Sequence, residues 1–200
     1  MSPRTLTLAA ASGCMIAAML PAALHAQDRV NGTFEPAARQ RIEVVATAAP
    51  ACNIAPGSVA GSDNASFQSS GTSGGTVAIT RFADPQTARA NPASVQVEIP
   101  VVCNSAHAVS LRSANGGMLR SGGAPGTVAG FIQFLPYTVA LDWVGQTLTG
   151  TSDLSEPLLL GVPNAGQGLL RVDIAIAGSD APMVAGAYAD TLQIEITAAN

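Results

Sequence analysis

Apolar and polar residues alternate along much of this chain with a period of two. That period puts successive side chains on opposite faces and marks half-buried strands. From Arg41 onward Ile42, Val44, Ala46, Ala48 and Pro50 lead to Cys52, with Arg41, Glu43 and Thr47 between them. Val95, Val97, Ile99 and Val101 lead to Cys103 in the same way, separated by Gln96 and Glu98. Val109 and Leu111 alternate with Ser110 and Arg112, and Val172, Ile174 and Ile176 with Arg171, Asp173 and Ala175. Leu192, Ile194 and Ile196 alternate with Gln193 and Glu195. The longest apolar run is Phe131 to Trp143, with Tyr137, Val139, Leu141 and Trp143 in one phase. Glycine-rich or proline-bearing stretches at 57–75, 115–126 and 161–168 separate these runs and read as turns and loops, the first of them long. No stretch after the leader keeps a helical period beyond a turn or two. Short strands in a domain of this size predict an all-β sandwich or barrel.

The first residues follow another rule. Met1 to Arg4 is a short positive start, Leu6 to Leu24 is almost wholly apolar or small, and Ala26 precedes Gln27. That order predicts a secretory signal over residues 1–26. Ser12, Gly13 and Pro21 interrupt the run, which suits a signal better than a membrane span. Removing it leaves Cys52 and Cys103. An even count in an oxidising compartment predicts a disulfide, and both cysteines fall in the inward phase of their strands. A closed loop of about 50 residues contributes roughly 4 kcal/mol in the chain-entropy account.

Charge narrows the function classes. Only 11% of residues are charged, none is lysine, and the net charge is -4. Nucleic-acid binding needs clustered basic residues and is not expected. His107 is the only histidine after the leader, with no acid or nucleophile spaced to join it, so neither a catalytic triad nor a metal site is expected. No phosphate-cradling loop appears, and neither cofactor nor small-molecule substrate is expected. Tyr137 and Trp143 could stack on a sugar, but their shared phase on an apolar strand favours the core. Asp190, beside Tyr188 at a strand start, reads as a corner hydrogen bond, and Tyr188 as a tyrosine tying a loop to the sheet.

Residues 27–40 alternate too. Val30, Gly32, Phe34, Pro36 and Ala38 are apolar or small, with Arg29, Asn31, Thr33 and Glu35 between them. The segment lies outside the disulfide frame. It reads either as a first strand pairing within its own domain or as a strand donated to a neighbour's open edge.

The run Gly186-Ala187-Tyr188-Ala189-Asp190-Thr191-Leu192-Gln193-Ile194-Glu195-Ile196 resembles the closing strand of spore coat protein U domains. These include subunits of archaic chaperone–usher pili of the Csu type. Ala51-Cys52 and Val101-Val102-Cys103-Asn104 resemble the family's disulfide frame, and Leu135 to Asp142 its central strand. Val59-Ala60-Gly61 stands where the family commonly has Phe-Gly. The resemblance spans 41–200. It implies an incomplete immunoglobulin-like β-sandwich with one inter-strand disulfide, lacking its last strand. It further implies a structural fibre subunit, not an enzyme, exported through the periplasm to the cell surface. Its partners would be a periplasmic chaperone, an outer-membrane usher and sister subunits. The donor would be Val30 to Ala38. The acceptor groove would be edged by Ile42, Val44 and Ala46 on one side and by Leu192, Ile194 and Ile196 on the other. A self-contained secreted binding domain and a spore or cyst coat component are the competing readings.

Overall fold

The computed structural model describes residues 40–71 and 74–199. The leader and the donor positions Val30, Gly32, Phe34, Pro36 and Ala38 lie outside the described residues. The chain divides into a unit ending at Val45 and a larger unit from Ala46 onward. In the first, Gln40 to Val45 is exposed and has no regular structure.

The larger unit is all-β. Its strands begin with β1 (Cys52–Ile54), β2 (Ser58–Asp63), β3 (Ala65–Ser69), β4 (Gly75–Ile79), β5 (Ala93–Cys103) and β6 (His107–Ser113). Short pieces follow: β7 (Met118–Arg120), β8 (Thr127–Val128), β9 (Phe131–Ile132) and β10 (Phe134–Leu135). Then come β11 (Thr138–Trp143), β12 (Gln146–Thr151), β13 (Leu158–Val162), β14 (Gly166–Ile176), β15 (Tyr188–Ala189) and β16 (Leu192–Ala198).

One sheet has the order β1-β5-β14-β11-β12, with β2 also on β5; a second has the order β13-β6-β16. All these pairings are antiparallel. On β5, β6, β11 and β14 the inward phases read from the sequence are the more buried ones. Val101, Val139, Leu141, Leu170 and Val172 of the first sheet share one core with Val109, Leu111, Leu160 and Val162 of the second. Trp143 is 1% exposed and Val109 fully covered. Each such side chain contributes about 1.5–3 kcal/mol by leaving water. Cys52 and Cys103 face each other across the β1–β5 ladder and are bonded as a disulfide. The β11–β12 hairpin turns on Val144 and Gly145, both at positive φ (45° and 78°), the geometry that follows the twist of its strands.

Three expectations change. The alternating stretch from Arg41 to Pro50 is not a strand, so Ile42, Val44 and Ala46 do not edge the sheet. Alternation supplies the faces of a strand but not its neighbour. The far edge of β5 is taken by β1 and β2, and β1 starts only at Cys52. The Gly57–Gly75 stretch, expected as a loop, holds β2, β3 and the start of β4. Phe67, Val77 and Ile79 supply the inward side chains of the β3–β4 hairpin, which composition had masked. The run from Phe131 to Trp143 is broken at Gln133 and again at Pro136-Tyr137. Pro136 lacks the N–H a central ladder would need.

Candidate functional site

The two sheets do not close equally. Among the described residues β6 is flanked by β13 and β16, whereas β16 pairs only with β6. The inward residues of β6 are buried, while Leu192, Ile194 and Ile196 on β16 are only half-buried. Beside them runs a groove of about 680 Å³. Its floor is Val97 and Ile99 of β5 with Leu170, Val172, Ile174 and Ile176 of β14. Phe67, Val77 and Ile79 of the β3–β4 hairpin and Ile54 of β1 line it as well, with Met118, Tyr137 and Asp190 also on its wall. The sequence reading places Leu192, Ile194 and Ile196 at one edge of an acceptor groove, and all three line this groove. The lip it assigned to Ile42, Val44 and Ala46 is formed by other residues, those of β1 and the hairpin.

The hairpin is held by a residue that period and composition do not single out. Asn64 turns the corner between β2 and β3 at φ 51°, a region asparagine tolerates. Its carboxamide oxygen accepts from the Arg81 N–H at 2.9 Å, and its amide donates to the Arg81 and Pro92 carbonyls at 3.0 and 2.9 Å. The Phe67 ring packs so close to the Gly75 backbone that a Cβ there would fall 2.3 Å from the ring. Only glycine at that position lets the ring lie across the hairpin.

Polar ties hold the groove's other end. The Asp190 carboxylate accepts from the Ser113 hydroxyl, from Tyr137 Oη at 2.7 Å and from the Asn115 N–H at 3.0 Å. Burial, and then the Asp190 carboxylate, push the Tyr137 phenol well above its ordinary value. Tyr188 Oη lies 2.8 Å from the Val184 carbonyl and 3.0 Å from that of Ile132, and burial raises its phenol too. Tyr188 and Asp190, read from the sequence as corner residues, thus each hydrogen-bond to segments around the start of β16. The network binds two hydroxyls and a backbone amide to one carboxylate, which fixes the start of β16.

Cys52, Cys103 and His107 bring their potential ligand atoms within 4.8 Å of one another. Both sulfurs are spent on the disulfide. His107 Nε2 accepts from Trp143 Nε1 at 2.7 Å, which leaves Nδ1 to donate to the Ser105 carbonyl at 2.9 Å. No donor atom of the trio is free, so the cluster is a buried structural joint. Trp143 and Tyr137 are buried in the core and present no sugar-stacking face.

A different tie sits where the chain enters the body. The Asn104 N–H donates to the Ala51 carbonyl at 3.0 Å, extending the β1–β5 register by one pair. There the backbone turns off toward Ser105, and the Asn104 side chain carries the ladder on. Its oxygen accepts from the Ala51 N–H at 2.7 Å, and its amide donates to the Ala49 carbonyl at 2.8 Å.

The groove offers a long apolar trough and, along β16, an edge that no other described strand pairs with. In general, strand addition joins such an edge to an extended peptide with apolar side chains at every second residue. Comparison of the chain with protein-family models, with curated proteins and with solved structures gives no match.

Proposed function

We propose that this protein is a structural subunit of a secreted surface fibre, joined to copies of itself by donor-strand complementation along a chaperone–usher route. The observation that supports this reading is the groove beside β16. A soluble single-domain protein covers such an edge with its own chain or blunts it with charge. Here Leu192, Ile194 and Ile196 stay half-buried over an apolar floor. In this reading the fold is an immunoglobulin-like sandwich one strand short, and an N-terminal strand of a sister molecule supplies the missing piece. Three apolar anchors settling into the trough contribute roughly 2 kcal/mol each, and the strand ladder adds directional hydrogen bonds. A chaperone would cover the groove before assembly, and the leader would bring the chain to the compartment where the disulfide forms.

Thermal unfolding of the purified protein with a synthetic peptide spanning residues 27–48 tests the reading, alongside electron microscopy of concentrated samples. Filaments and a rise in Tm of about 5 °C or more are expected, since each kcal/mol moves a domain of this size by about 2–4 °C. A protein that stays monomeric at every concentration and ignores the peptide is instead a self-contained binding domain.

A further inference from the structure

We infer that the free edge of β12 is an interface between two copies of this chain, which pair it antiparallel about a two-fold axis through Thr149. β12 ends the first sheet on the side away from β1 and β2, and none of its residues lines the groove. Edges left open are commonly bulged, charged or broken by proline. β2 is bulged between Val59 and Gly61 and ends in Asp63, and β13 stands between Pro157 and Pro163. β12 has none of these devices. No charged residue and no proline lies between Trp143 and Asp153, and the register with β11 is unbroken. Among the described residues β11 is its one partner strand.

The backbone presents what a second strand needs. Val144 and Gly145 form a two-residue turn, so Trp143 and Gln146 close the hairpin as a hydrogen-bonded pair. Beyond the strand's far end the Ser152 N–H donates to the Tyr137 carbonyl at 2.8 Å. Counting by twos between these points, Gln146, Leu148 and Gly150 turn their backbone groups to β11. Thr147, Thr149 and Thr151 turn theirs to the open edge, and all three are exposed.

That edge is its own complement. An axis through Thr149 sets Thr149 against its own copy and Thr147 against Thr151 of the second copy, so every threonine exchanges backbone bonds with another. Threonines are favourable cross-strand partners. On the inner face Leu148 meets Gly150 of the second copy, whose missing side chain leaves its place to Leu158; two half-buried leucines thus come together. Val144 and Leu154 are equally spaced from Thr149 and are 44% and 51% exposed. The axis brings each toward its counterpart on the other copy. A pairing shifted by two residues either way leaves a threonine facing a turn. This self-matching favours a second copy over an unrelated peptide, because a two-fold contact must match the same patch to itself.

A charge swap at Thr149 in the full chain tests the interface. Thr149→Lys alone and Thr149→Glu alone each set like charges against each other at the axis. Each should weaken dimerisation about tenfold or more in sedimentation equilibrium, and an equimolar mixture of the two should recover it. Contacts through the groove would not respond to charge at Thr149, so the two kinds of association are separated. The substitutions fall on an exposed edge position, and an unchanged urea midpoint checks that the fold is kept. Crosslinking with a short bis-thiol reagent reads the register. Thr149→Cys should link to itself, whereas Thr147→Cys should link only when mixed with Thr151→Cys. If both charged chains associate like the parent and their mixture gains nothing, or if Thr149→Cys gives no linked dimer at the highest soluble concentration, the β12 interface is overturned. If Thr147→Cys links to itself, the axis does not pass through Thr149 and the pairing stated here falls.

Discussion

β6 and β16 lie side by side in one sheet and carry nearly the same pattern, yet they end in different environments. Val109 and Leu111 on β6 are buried, while Ile194 and Ile196, directly paired with them, are half-open. Neither composition nor phase separates the two strands. What differs is the number of neighbours among the described strands: β6 has two, β16 one. Burial in a sheet is a property of position among strands, and the same aliphatic residue contributes differently on either side of that boundary.

The contrast can be strained at several points. The largest effect should come from replacing both Cys52 and Cys103 with serine. Losing a loop closure across 51 positions should cost about 4 kcal/mol, read as a lower urea midpoint, and should free β1 from the groove's wall. Next, Leu141→Ala in the closed core should cost about 3 kcal/mol. Ile194→Ala on the open strand should cost about 1 kcal/mol alone and distinctly more with a peptide in the groove, because only then is its side chain fully covered. Equal costs for the two would remove the distinction between the closed and open sides. His107→Ala should cost about 2 kcal/mol, since it strands the buried Trp143 indole N–H without an acceptor.

The smallest effect is one of pH. Tyr137 has its phenol raised by burial and by Asp190. A raised value favours the protonated form in the folded state. Its contribution is therefore complete below the unfolded value of about 10 and is lost as pH climbs toward the folded one. Chemical denaturation between neutral pH and pH 11 should show falling stability in the parent and a shallower fall in Tyr137→Phe. Identical slopes would show that the Asp190 network does not sense this proton.

The pattern of the sequence contains more of the fold than of the groove. Phase alone names the inward residues of β5, β11, β14 and β16, and the two cysteines meet because both sit in that phase. It fails where a strand's existence depends on a partner elsewhere in the chain. Ile42 to Ala48 has the alternation and, among the described residues, no partner strand, while Val59, next to a bulge in β2, has a neighbour and little alternation. The hairpin that walls the groove is written in serines and glycines, and its one aromatic anchor, Phe67, fits only because Gly75 has no side chain. Asn64 and Asn104 carry no periodic signal. A carboxamide that finishes another strand's ladder becomes visible only once the backbone is placed.

The bond between Cys52 and Cys103 also sets how the molecule bears load. The entry segment joins the body at Cys52, and that residue is covalently tied to the end of β5. A pull on the entry segment therefore bypasses the three-residue β1 and enters the eleven paired positions between β5 and β14. A load directed along the strands would put those hydrogen bonds in shear together, so that they could not be opened one at a time.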